Sequence, residues 1–264
     1  MAMPVAYVDL NCDVGESFGA YRMAGEEALL EVVTSANVAC GFHAGDPRVM
    51  ERTVRRAAQA GVGVGAHVGY PDLVGFGRRR MELSPDELRT DVLYQIGALY
   101  AFCRAAGVGL QHVKPHGAMY NTALKDPVVA EAIVQAVTAF DRGLVVLAIR
   151  GSELAAAARR AGLKVAYEGF VDRQYRADGS LVPRDWPGAV IHDPEVAAER
   201  AVQMVVDHHI RSVDGVDLEM AVHTLCIHGD NPEAPAIARA VRRGLESAGV
   251  AVLPIAAHPS INPG

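Results

Sequence analysis

The sequence contains no cysteine pair close enough to form a zinc-binding or redox CxxC motif. Its four cysteines are scattered along the 264 residues, at Cys12, Cys40, Cys103 and Cys226. This spacing excludes the disulfide frameworks of small secreted domains and favours reduced thiols in a cytoplasmic protein. The opening stretch MAMPVAYVDLN has neither a basic segment nor a long apolar core, so we also expect no secretion signal.

Three further absences narrow the function classes. No apolar run approaches the roughly 20 residues that a membrane-spanning helix needs, so we expect no membrane span. Positive charge is not in excess, since the formal net charge is −6, which argues against binding to nucleic acid or to an anionic membrane. No glycine is followed directly by lysine, so the chain has no Walker A loop and we expect no ATP site of that type.

What the sequence does contain is an alternation of short apolar runs with longer helical patterns. The helical stretches begin near proline and end near glycine, as helix termini do. Alternation of this kind predicts a parallel sheet, and no linker composition divides the chain, so we expect one domain over residues 1–264. The predicted strands are VAYVDLN, SANVAC, GVGVGAH, LQHVK, LVVLAIR, KVAYEG, HTLCIHG and a weaker VAVLPI. The long irregular stretches are 11–25, 68–84 and 169–190, with a small irregular excursion near RSVDGVDLEM.

Side-chain parity along these strands distinguishes a barrel from an open sheet. Successive strand residues point to opposite faces, and in each predicted strand one face is apolar and the other polar. An open sheet covered by helices on both sides would be apolar on both faces. The pattern therefore predicts an α/β fold, an irregular (β/α) barrel of about seven parallel strands, with its site at their carboxyl ends. The residues expected to line one cavity there are Asp9, Asn37, His67, Lys114, Glu168 and His228.

The segment QHVKPHGAMYN places a lysine at a strand end. Pro115 has no amide hydrogen and forces Lys114 into an extended conformation, so the ammonium group must project from the tip of the strand. His112 and His116 have the spacing of a helical metal-binding pair, but Pro115 excludes the helix that such a pair needs. We therefore expect a strand tip that carries chemistry.

Several strand-end segments together resemble the LamB/YcsF family, the A subunits of 5-oxoprolinase. The matching segments run from Asp9 to Pro232, so the resemblance covers nearly the whole chain. The family usually has proline in place of Val68 and alanine in place of Val171, and neither change removes a charge or a proton donor. The segments are DLNCDVGESFG, SANVACGFHAGDP, GFGRR, HVKPHGAMYN, DRQY and CIHGDNP.

The resemblance implies a β/α-barrel related to those of glycoside hydrolases and polysaccharide deacetylases. It also implies ATP-dependent opening of 5-oxoproline to L-glutamate in a complex with two other subunits, B and C. The missing Walker A loop agrees with a division of labour in which the whole complex uses ATP. An amide is a poor electrophile because of its resonance, and phosphorylation of the lactam oxygen opens the ring carbon to attack by water. This chain would then supply a base, a cation and an acid.

Residues can be proposed for each of these roles. Lys114 is a compact cation that suits a phosphate or an oxyanion, and histidine titrates near neutrality, which suits acid–base exchange. The catalytic candidates are Asp13, His67, Lys114, His116, Asp172, His228 and Asp230. The substrate-binding candidates are Asp9, Asn11, Asn37, His43, Glu168 and Arg173.

Two other functions stay open at the level of the sequence. One is a stand-alone metal-dependent deacetylase or amidohydrolase, in which Asp9 or Asp13, with His43 and His67, would hold a divalent metal. The other is a non-catalytic protein that delivers substrate to its partners. The run Arg78–Arg80 fits either a solvated loop or an anion clamp over the barrel mouth. Formation of a homo-oligomer is also left open.

Overall fold

The strands of this protein form a parallel sheet that closes on itself. The structure, a computed structural model, describes residues 6–261, so both ends of the predicted domain, including Val5 of the first predicted strand, lie outside the described residues. The strands are β1 (Ala6–Val14), β2 (Ser35–Ala39), β3 (Gly63–Val68), β4 (Leu110–Pro115), β5 (Val145–Ala148), β6 (Lys164–Phe170), β7 (His209–Arg211), β8 (Asp217–Glu219), β9 (Thr224–Ile227) and β10 (Val250–Val252).

Helices connect most of the strands. They are α1 (Glu26–Leu30), α2 (Pro47–Ala60), α3 (Pro85–Ala106), α4 (Gly117–Ala123), α5 (Pro127–Phe140), α6 (Glu153–Arg160), α7 (Pro194–Val202) and α8 (Ala234–Ser247). A π-helical turn, Gln203–Asp207, extends α7, and a short 3-10 turn covers Ile255–Ala257. Among residues 6–261, none of the helices combines the length and the apolar character needed to cross a membrane.

The sheet closes because β1 pairs along both of its edges. The stretch from Asn11 to Val14 pairs with β2, and the stretch from Asp9 to Cys12 pairs with β9. The neighbours of β1 then follow as β2, β3, β4, β5, β6 and β9, all parallel, so seven strands of the described chain form a closed ring. The short β10 adds to the start of β1 outside this ring. The predicted parallel barrel of about seven strands is confirmed.

Four of the helices begin with a capping side chain that is followed directly by proline. Asp46, Asp126 and Asp193 each accept backbone N–H groups of the first turn, and proline follows directly. Ser84 forms a reciprocal capping box with Glu87 at the start of α3. A side-chain cap of this kind typically stabilises by about 1 kcal/mol. The predicted proline-rich helix starts are therefore confirmed for α2, α3, α5 and α7.

Side-chain parity separates an apolar core from a polar lumen, as the sequence predicts. Leu10 and Cys12 of β1 are fully buried in the hydrophobic core outside the barrel. Asp9 and Asn11, which alternate with them, face the lumen and contact the hydroxyl group of Thr224 on the neighbouring strand β9. The amino end of the lumen is apolar, where a small cluster packs together: Val145, Leu147, Ala166, Ile255 and Ile261. Polar chemistry is thus confined to the carboxyl half of the lumen.

Three local predictions need correction. The strand β1 runs to Val14, whereas the irregular stretch is predicted from residue 11, so Asp13 is a strand residue that shares the lumen parity of Asp9 and Asn11. The strand β5 ends at Ala148 and is shorter than predicted. The excursion RSVDGVDLEM forms an antiparallel hairpin of β7 and β8. The first correction matters most, because strand geometry fixes the direction of the Asp13 side chain.

Glycines in β3 allow the neighbouring strand β4 to direct large side chains into the lumen. A Cβ atom placed on Gly65 would collide with the ring of His112, and one on Gly63 would collide with the amide of Gln111. His112 is fully buried and has no room to move away. The segment GVGVGAH is therefore a strand whose glycines make space, not a dinucleotide-binding turn.

Gly65→Ala should destabilise the fold by about 1–3 kcal/mol, because the new methyl group overpacks a buried site. Gly97→Ala is the matched control. Gly97 lies within α3, and a Cβ there meets no atom within 4 Å, so this change should stabilise the protein by about 0.5–1 kcal/mol. Unfolding in urea measures both effects. Equal stability of the two variants would contradict the close approach of β3 and β4.

Candidate active site at the carboxyl end of the barrel

The lowest polar layer of the lumen is centred on Asp9. Its Oδ1 accepts hydrogen bonds from Thr34 (2.8 Å) and Ser35 (2.6 Å), and its Oδ2 accepts one from Thr224 (2.5 Å). Burial outweighs these hydrogen bonds and raises the pKa of Asp9 to about 6. Because both oxygens are engaged by β2, β9 and the residue before β2, we assign Asp9 to the seam of the barrel and not to the substrate-binding group.

Two amide side chains form the next layer. Asn37 donates to Asn11 (2.7 Å) and to Oδ1 of Asp13 (2.8 Å), and its own oxygen accepts from Nε2 of His112 at 2.7 Å. Burial, assisted by the nearby ammonium of Lys114, lowers the pKa of His112 to about 3, so this ring is neutral at pH 7. The layer therefore orients Asp13, and its amides are engaged with protein groups.

Lys114 lies at the centre of the lumen. Its ammonium nitrogen is 2.8 Å from Oδ1 of Asp13, 2.9 Å from Oε1 of Glu168 and 3.0 Å from the sulfur of Cys226. Burial opposes the charge, but Asp13, Cys226 and Glu168 together raise the pKa of Lys114 well above its ordinary value. The side chain is only 2% exposed and stays charged at neutral pH. The predicted position of this ammonium at a strand tip is confirmed.

One hydrogen of the Lys114 ammonium is held less firmly than the others. Burial raises the pKa of the Cys226 thiol well above its ordinary value, so the sulfur is neutral. A neutral thiol is a weak acceptor compared with a carboxylate. The N–H directed at Cys226 is therefore the one that a ligand oxygen could take over.

Glu168 is held from two sides and shares its counter-charge with Asp13. Its Oε2 accepts the hydroxyl hydrogen of Tyr120 at 2.9 Å, while its Oε1 faces Lys114. The ring of Phe170 lies 5.7 Å from the Lys114 nitrogen and shields this ion pair. Two carboxylates thus depend on a single buried ammonium group.

Three imidazoles and a carboxylate gather on the side of the lumen formed by β1 to β4. His67 ends β3, while Glu16, His43 and His116 follow β1, β2 and β4, and their donor atoms lie within 4.8 Å of one another. His43 stacks on His116 with ring centroids 3.9 Å apart, and His67 meets both rings edge-on. Burial lowers the pKa of His43 and His116 well below the ordinary value and raises that of Glu16 to about 7. This donor set is able to hold a metal ion.

Asp172 and His228 form a hydrogen-bonded pair just beyond the ends of the neighbouring strands β6 and β9. Nδ1 of His228 donates to Oδ1 of Asp172 at 2.8 Å, and the backbone N–H of His228 donates to Oδ2 at 3.1 Å. The imidazole lies flat on Phe170, with centroids 5.5 Å apart. Because Nδ1 carries the hydrogen, Nε2 carries the lone pair. The donor atoms of Asp13, Cys226 and His228 lie within 4.8 Å of one another, so this pair borders the Lys114 site.

Arginines surround Asp230 at the rim of the lumen. Its Oδ2 is 2.5 Å from Arg78 and 3.1 Å from Arg184. Burial opposes the charge, but the two guanidinium groups lower the pKa of Asp230, which makes it a poor general base. Arg173 is buried and donates to the carbonyl of Val182 at 2.6 Å, whereas its Nε has no hydrogen-bond partner among residues 6–261. Asp230 therefore serves to hold two cations at the mouth.

The arginine run splits in the structure. Arg78 reaches the rim, Arg79 pairs with Asp72 inside its own loop, and Arg80 is exposed to solvent. Only the first arginine thus fits the anion-clamp interpretation, and it acts together with Arg184, which the sequence does not single out.

The candidates named from the sequence converge on one lumen but form distinct groups. Lys114, Asp13 and Glu168 form its centre, Asp172 and His228 one side, and His43, His67 and His116 the other. Asn11, Asn37 and Asp9 lie in the layers beneath, and Asp230 and Arg173 lie at the rim. These side chains thus share one lumen, while the predicted site and the individual roles stay proposals.

Besides Arg184, sequence reasoning missed Glu16, Tyr120 and Cys226. Cys226 has the same strand parity as His228, which is a signal that could have identified it. Tyr120 lies one helical turn beyond His116, over the tip of β4. Glu16 gives no local signal, because it follows the end of β1 in an irregular loop and is buried only by contacts with other loops.

A cavity of about 500 Å³ adjoins the histidine cluster. Glu16 and His43 line it on the side of the barrel, and apolar residues of two loops form its lips. Two of these, Tyr21 and Val74, are 82% and 92% exposed. The cavity therefore lies beside the histidine cluster, at the solvent side of Glu16 and His43.

Comparison with known proteins finds a matching family model and highly similar proteins. The model of the LamB/YcsF family matches residues 8–260. A protein from Symbiobacterium thermophilum, named as the A subunit of 5-oxoprolinase, is 56% identical over 94% of this chain and 95% of its own length. The lactam utilization protein from Thermus thermophilus, of known structure, has a TM-score of 0.89 at 51% identity, covering 94% of this chain and 99% of that one.

More distant structures share the fold alone. A protein from Enterococcus faecalis V583 has a TM-score of 0.56 at 14% identity, covering 94% of this chain and 97% of that one. A structure described as T48 deacetylase with substrate has a TM-score of 0.50 at 14% identity, covering 97% and 91%. The expected relation to deacetylase-type barrels holds at the level of the fold.

Asp9→Asn should change how stability depends on pH. A carboxyl whose pKa is about 6 in the folded protein and near 4 when unfolded favours folding at low pH and loses this contribution as pH rises through 6. The variant should therefore gain up to about 3 kcal/mol relative to the wild type between pH 4 and pH 7. Urea unfolding of both proteins at several pH values measures the difference. A difference independent of pH would show that Asp9 is already ionised at pH 4.

Proposed function

Because the chain belongs to the LamB/YcsF family, we propose that it is the A subunit of an ATP-dependent 5-oxoprolinase, which opens 5-oxoproline to L-glutamate together with subunits B and C. The observation that carries this proposal is the identity to a curated 5-oxoprolinase A subunit along almost the whole length of both chains. The reaction is the hydrolysis of a cyclic amide. The free, buried cysteines among the described residues support a cytoplasmic location.

The missing Walker A loop and the charged groups of the lumen indicate how this chain and its partner subunits would share the reaction. It has no Walker A loop, so we assign use of ATP to the assembled complex. Phosphorylation of the lactam oxygen would break the amide resonance and make the ring carbon electrophilic. This chain then supplies the groups that bind the activated ring and move protons.

We assign charge stabilisation to Lys114. The N–H directed at the neutral sulfur of Cys226 can turn to an oxygen of the reacting carbon, while Asp13 and Glu168 hold the other hydrogens of the ammonium. A preorganised cation in a dry lumen stabilises developing negative charge far better than water does. Lys114 is thus the electrophilic partner of the reaction.

We assign acid–base chemistry to His228. Asp172 holds its Nδ1–H, so Nε2 can take a proton from the attacking water and return it to the ring nitrogen as the C–N bond breaks. This cleavage leaves the acyl phosphate of glutamate, which a second water hydrolyses to the carboxylate and inorganic phosphate. Phe170 keeps the imidazole in place by stacking. Arg78 and Arg184, at the rim, are placed to receive the carboxylate or phosphate of the incoming substrate.

A metal-dependent amidohydrolase is the second candidate, and the cluster of Glu16, His43, His67 and His116 is the observation that favours it. Such an enzyme would act without nucleotide. A protein that only delivers substrate would leave the buried ion pairs of the lumen without a chemical role. Assays of the whole complex and of the isolated chain separate these functions.

The isolated chain should neither hydrolyse ATP nor open 5-oxoproline at a useful rate, and both activities should appear when subunits B and C are added. ATP hydrolysis that depends on 5-oxoproline is measured with this chain alone, with the partners alone and with all three together. Robust ATPase activity of the isolated chain, or amide hydrolysis without nucleotide, would contradict the proposal.

Lys114→Met should lower kcat of the complex by about a hundredfold or more, because a lost charge-stabilising donor costs about 3 kcal/mol in the transition state. The same change leaves Asp13 and Glu168 uncompensated and should lower Tm. The double variant Lys114→Met/Glu168→Gln removes one of these carboxylates, so it should recover much of the Tm but not the turnover. If turnover recovers together with Tm, Lys114 acts only as a structural counter-charge.

A further inference from the structure

The hydrogen bonds of His67 and His116 leave two lone pairs facing each other. Nδ1 of His67 lies 3.1 Å from the carbonyl oxygen of Lys114, and Nε2 of His116 lies 2.8 Å from that of Phe76. A carbonyl oxygen only accepts, so each of these nitrogens carries its ring's hydrogen. The remaining nitrogens, Nε2 of His67 and Nδ1 of His116, are 3.0 Å apart. When both rings are neutral, neither nitrogen has a hydrogen to share.

Glu16 and His43 add further unsatisfied atoms at the same place. Oε1 of Glu16 and both ring nitrogens of His43 are buried and have no hydrogen-bond partner among residues 6–261. Oε1 of Glu16 lies 3.5 Å from Nε2 of His43 and 3.7 Å from Nδ1 of His116. Buried polar atoms nearly always have a partner, so the unpartnered Oε1 of Glu16 beside the two facing imidazole lone pairs indicates a cation.

We propose that Glu16, His67 and His116 bind a divalent transition-metal ion through Oε1, Nε2 and Nδ1, respectively. One ion at this place satisfies all three acceptors and relieves the contact between the two imidazole lone pairs. The site is distinct from the Lys114 centre, and its nearest link to that centre is Asp13, whose Oδ2 is 3.4 Å from Nε2 of His67. Asp13 is thus within reach as a further ligand.

The separations between the ligand atoms suit such an ion. Metal–nitrogen and metal–oxygen bonds of about 2.0–2.1 Å in tetrahedral geometry place ligand atoms about 3.3 Å apart. The observed distances, 3.0 Å between the two histidine nitrogens and 3.7 Å between Glu16 and His116, lie on either side of this value. The donor atoms of the third pair, Glu16 and His67, lie within 4.8 Å of each other, so an ion that binds here draws these two side chains together.

The outer hydrogen bonds are those of metal-binding histidines. In protein metal sites the ring nitrogen that does not bind the metal usually donates to a carboxylate or a backbone carbonyl, which fixes the tautomer and the orientation of the ring. His67 and His116 both do so, and the carbonyl of Lys114 belongs to the rigid strand β4. The ligand nitrogens are therefore oriented before any ion binds.

His43 supports the site without sharing the ion. Its ring is parallel to that of His116, with an angle of 5° between the planes. Two parallel stacked rings cannot both direct in-plane lone pairs at one ion, so only His116 does so in this arrangement. His43 packs against the ligand and lines the cavity beside the cluster.

The donor set selects the class of metal. Imidazole nitrogens with one carboxylate suit Zn²⁺, Fe²⁺, Co²⁺ or Ni²⁺, whereas Mg²⁺ and Ca²⁺ prefer oxygen ligands. A single proton shared between His67 and His116 is the competing explanation for their short contact. A proton would satisfy that pair but would leave Oε1 of Glu16 without a partner.

Metal binding by the isolated chain tests this inference independently of any catalytic activity. Chelator-treated protein is titrated with Zn²⁺ by calorimetry and with Co²⁺ by visible absorption, and the metal content of untreated protein is counted by mass spectrometry. We expect about one ion per chain, and His67→Gln, His116→Gln and Glu16→Gln should each weaken binding about a hundredfold or more. Circular dichroism of each variant checks that it is folded.

Two variants act as controls for the ligand assignment. His43→Phe keeps the stacked ring but removes its nitrogens, so it should retain binding within about tenfold. His208→Gln/His209→Gln removes an exposed histidine pair far from the site in sequence and should bind as tightly as the wild type. Wild-type protein that binds neither Zn²⁺ nor Co²⁺ at micromolar concentration would overturn the proposal and favour the shared proton. Loss of binding in the exposed double variant would overturn it as well.

Discussion

One buried ammonium between two carboxylates is the constraint on which the centre of this molecule depends. Lys114 is the counter-charge for Asp13 and Glu168 inside a closed barrel, where an unpaired charge costs several kcal/mol. The surrounding groups keep this arrangement in place: Asn37 orients Asp13, Tyr120 holds Glu168, and Phe170 covers the ammonium. Removing Lys114 leaves both carboxylates without compensation, so the stability of the lumen and its chemistry are coupled.

The barrel makes this charge arrangement possible by separating layers along its axis. Apolar side chains fill the amino end of the lumen, hydroxyl and amide groups form the middle, and the titratable groups lie at the carboxyl end. Each layer satisfies the one above it, because register brings residues of the same parity from neighbouring strands to the same height. Asp9 illustrates the principle, since its hydrogen bonds tie β9 to the other end of the sheet.

Three functional groups then surround the central ion pairs, each held by different strand ends. The Asp172–His228 pair offers a free lone pair for proton transfer, and the arginines around Asp230 offer positive charge at the mouth. The cluster of Glu16, His67 and His116 offers converging acceptors with no donor. Proton transfer, anion binding and metal binding would thus lie side by side in one lumen. Asp13 pairs with Lys114 and lies 3.4 Å from His67, which makes it the residue through which the central ion pairs and the metal site would influence each other.

The barrel, the location of the site at the carboxyl ends of the strands and the direction of many of its side chains could be predicted from the sequence. Strand periodicity alternates faces, and Pro115 forces Lys114 to an extended strand tip, so these features follow from local geometry alone. Three contacts could be seen only in the folded structure: Glu16 is buried beside His116, Cys226 contacts Lys114, and Asp230 is held by two arginines. These contacts join loops far apart in sequence, and their distances depend on the path of the whole chain. The local sequence pattern determines the direction of a side chain, whereas closure of the barrel determines which residues that side chain contacts.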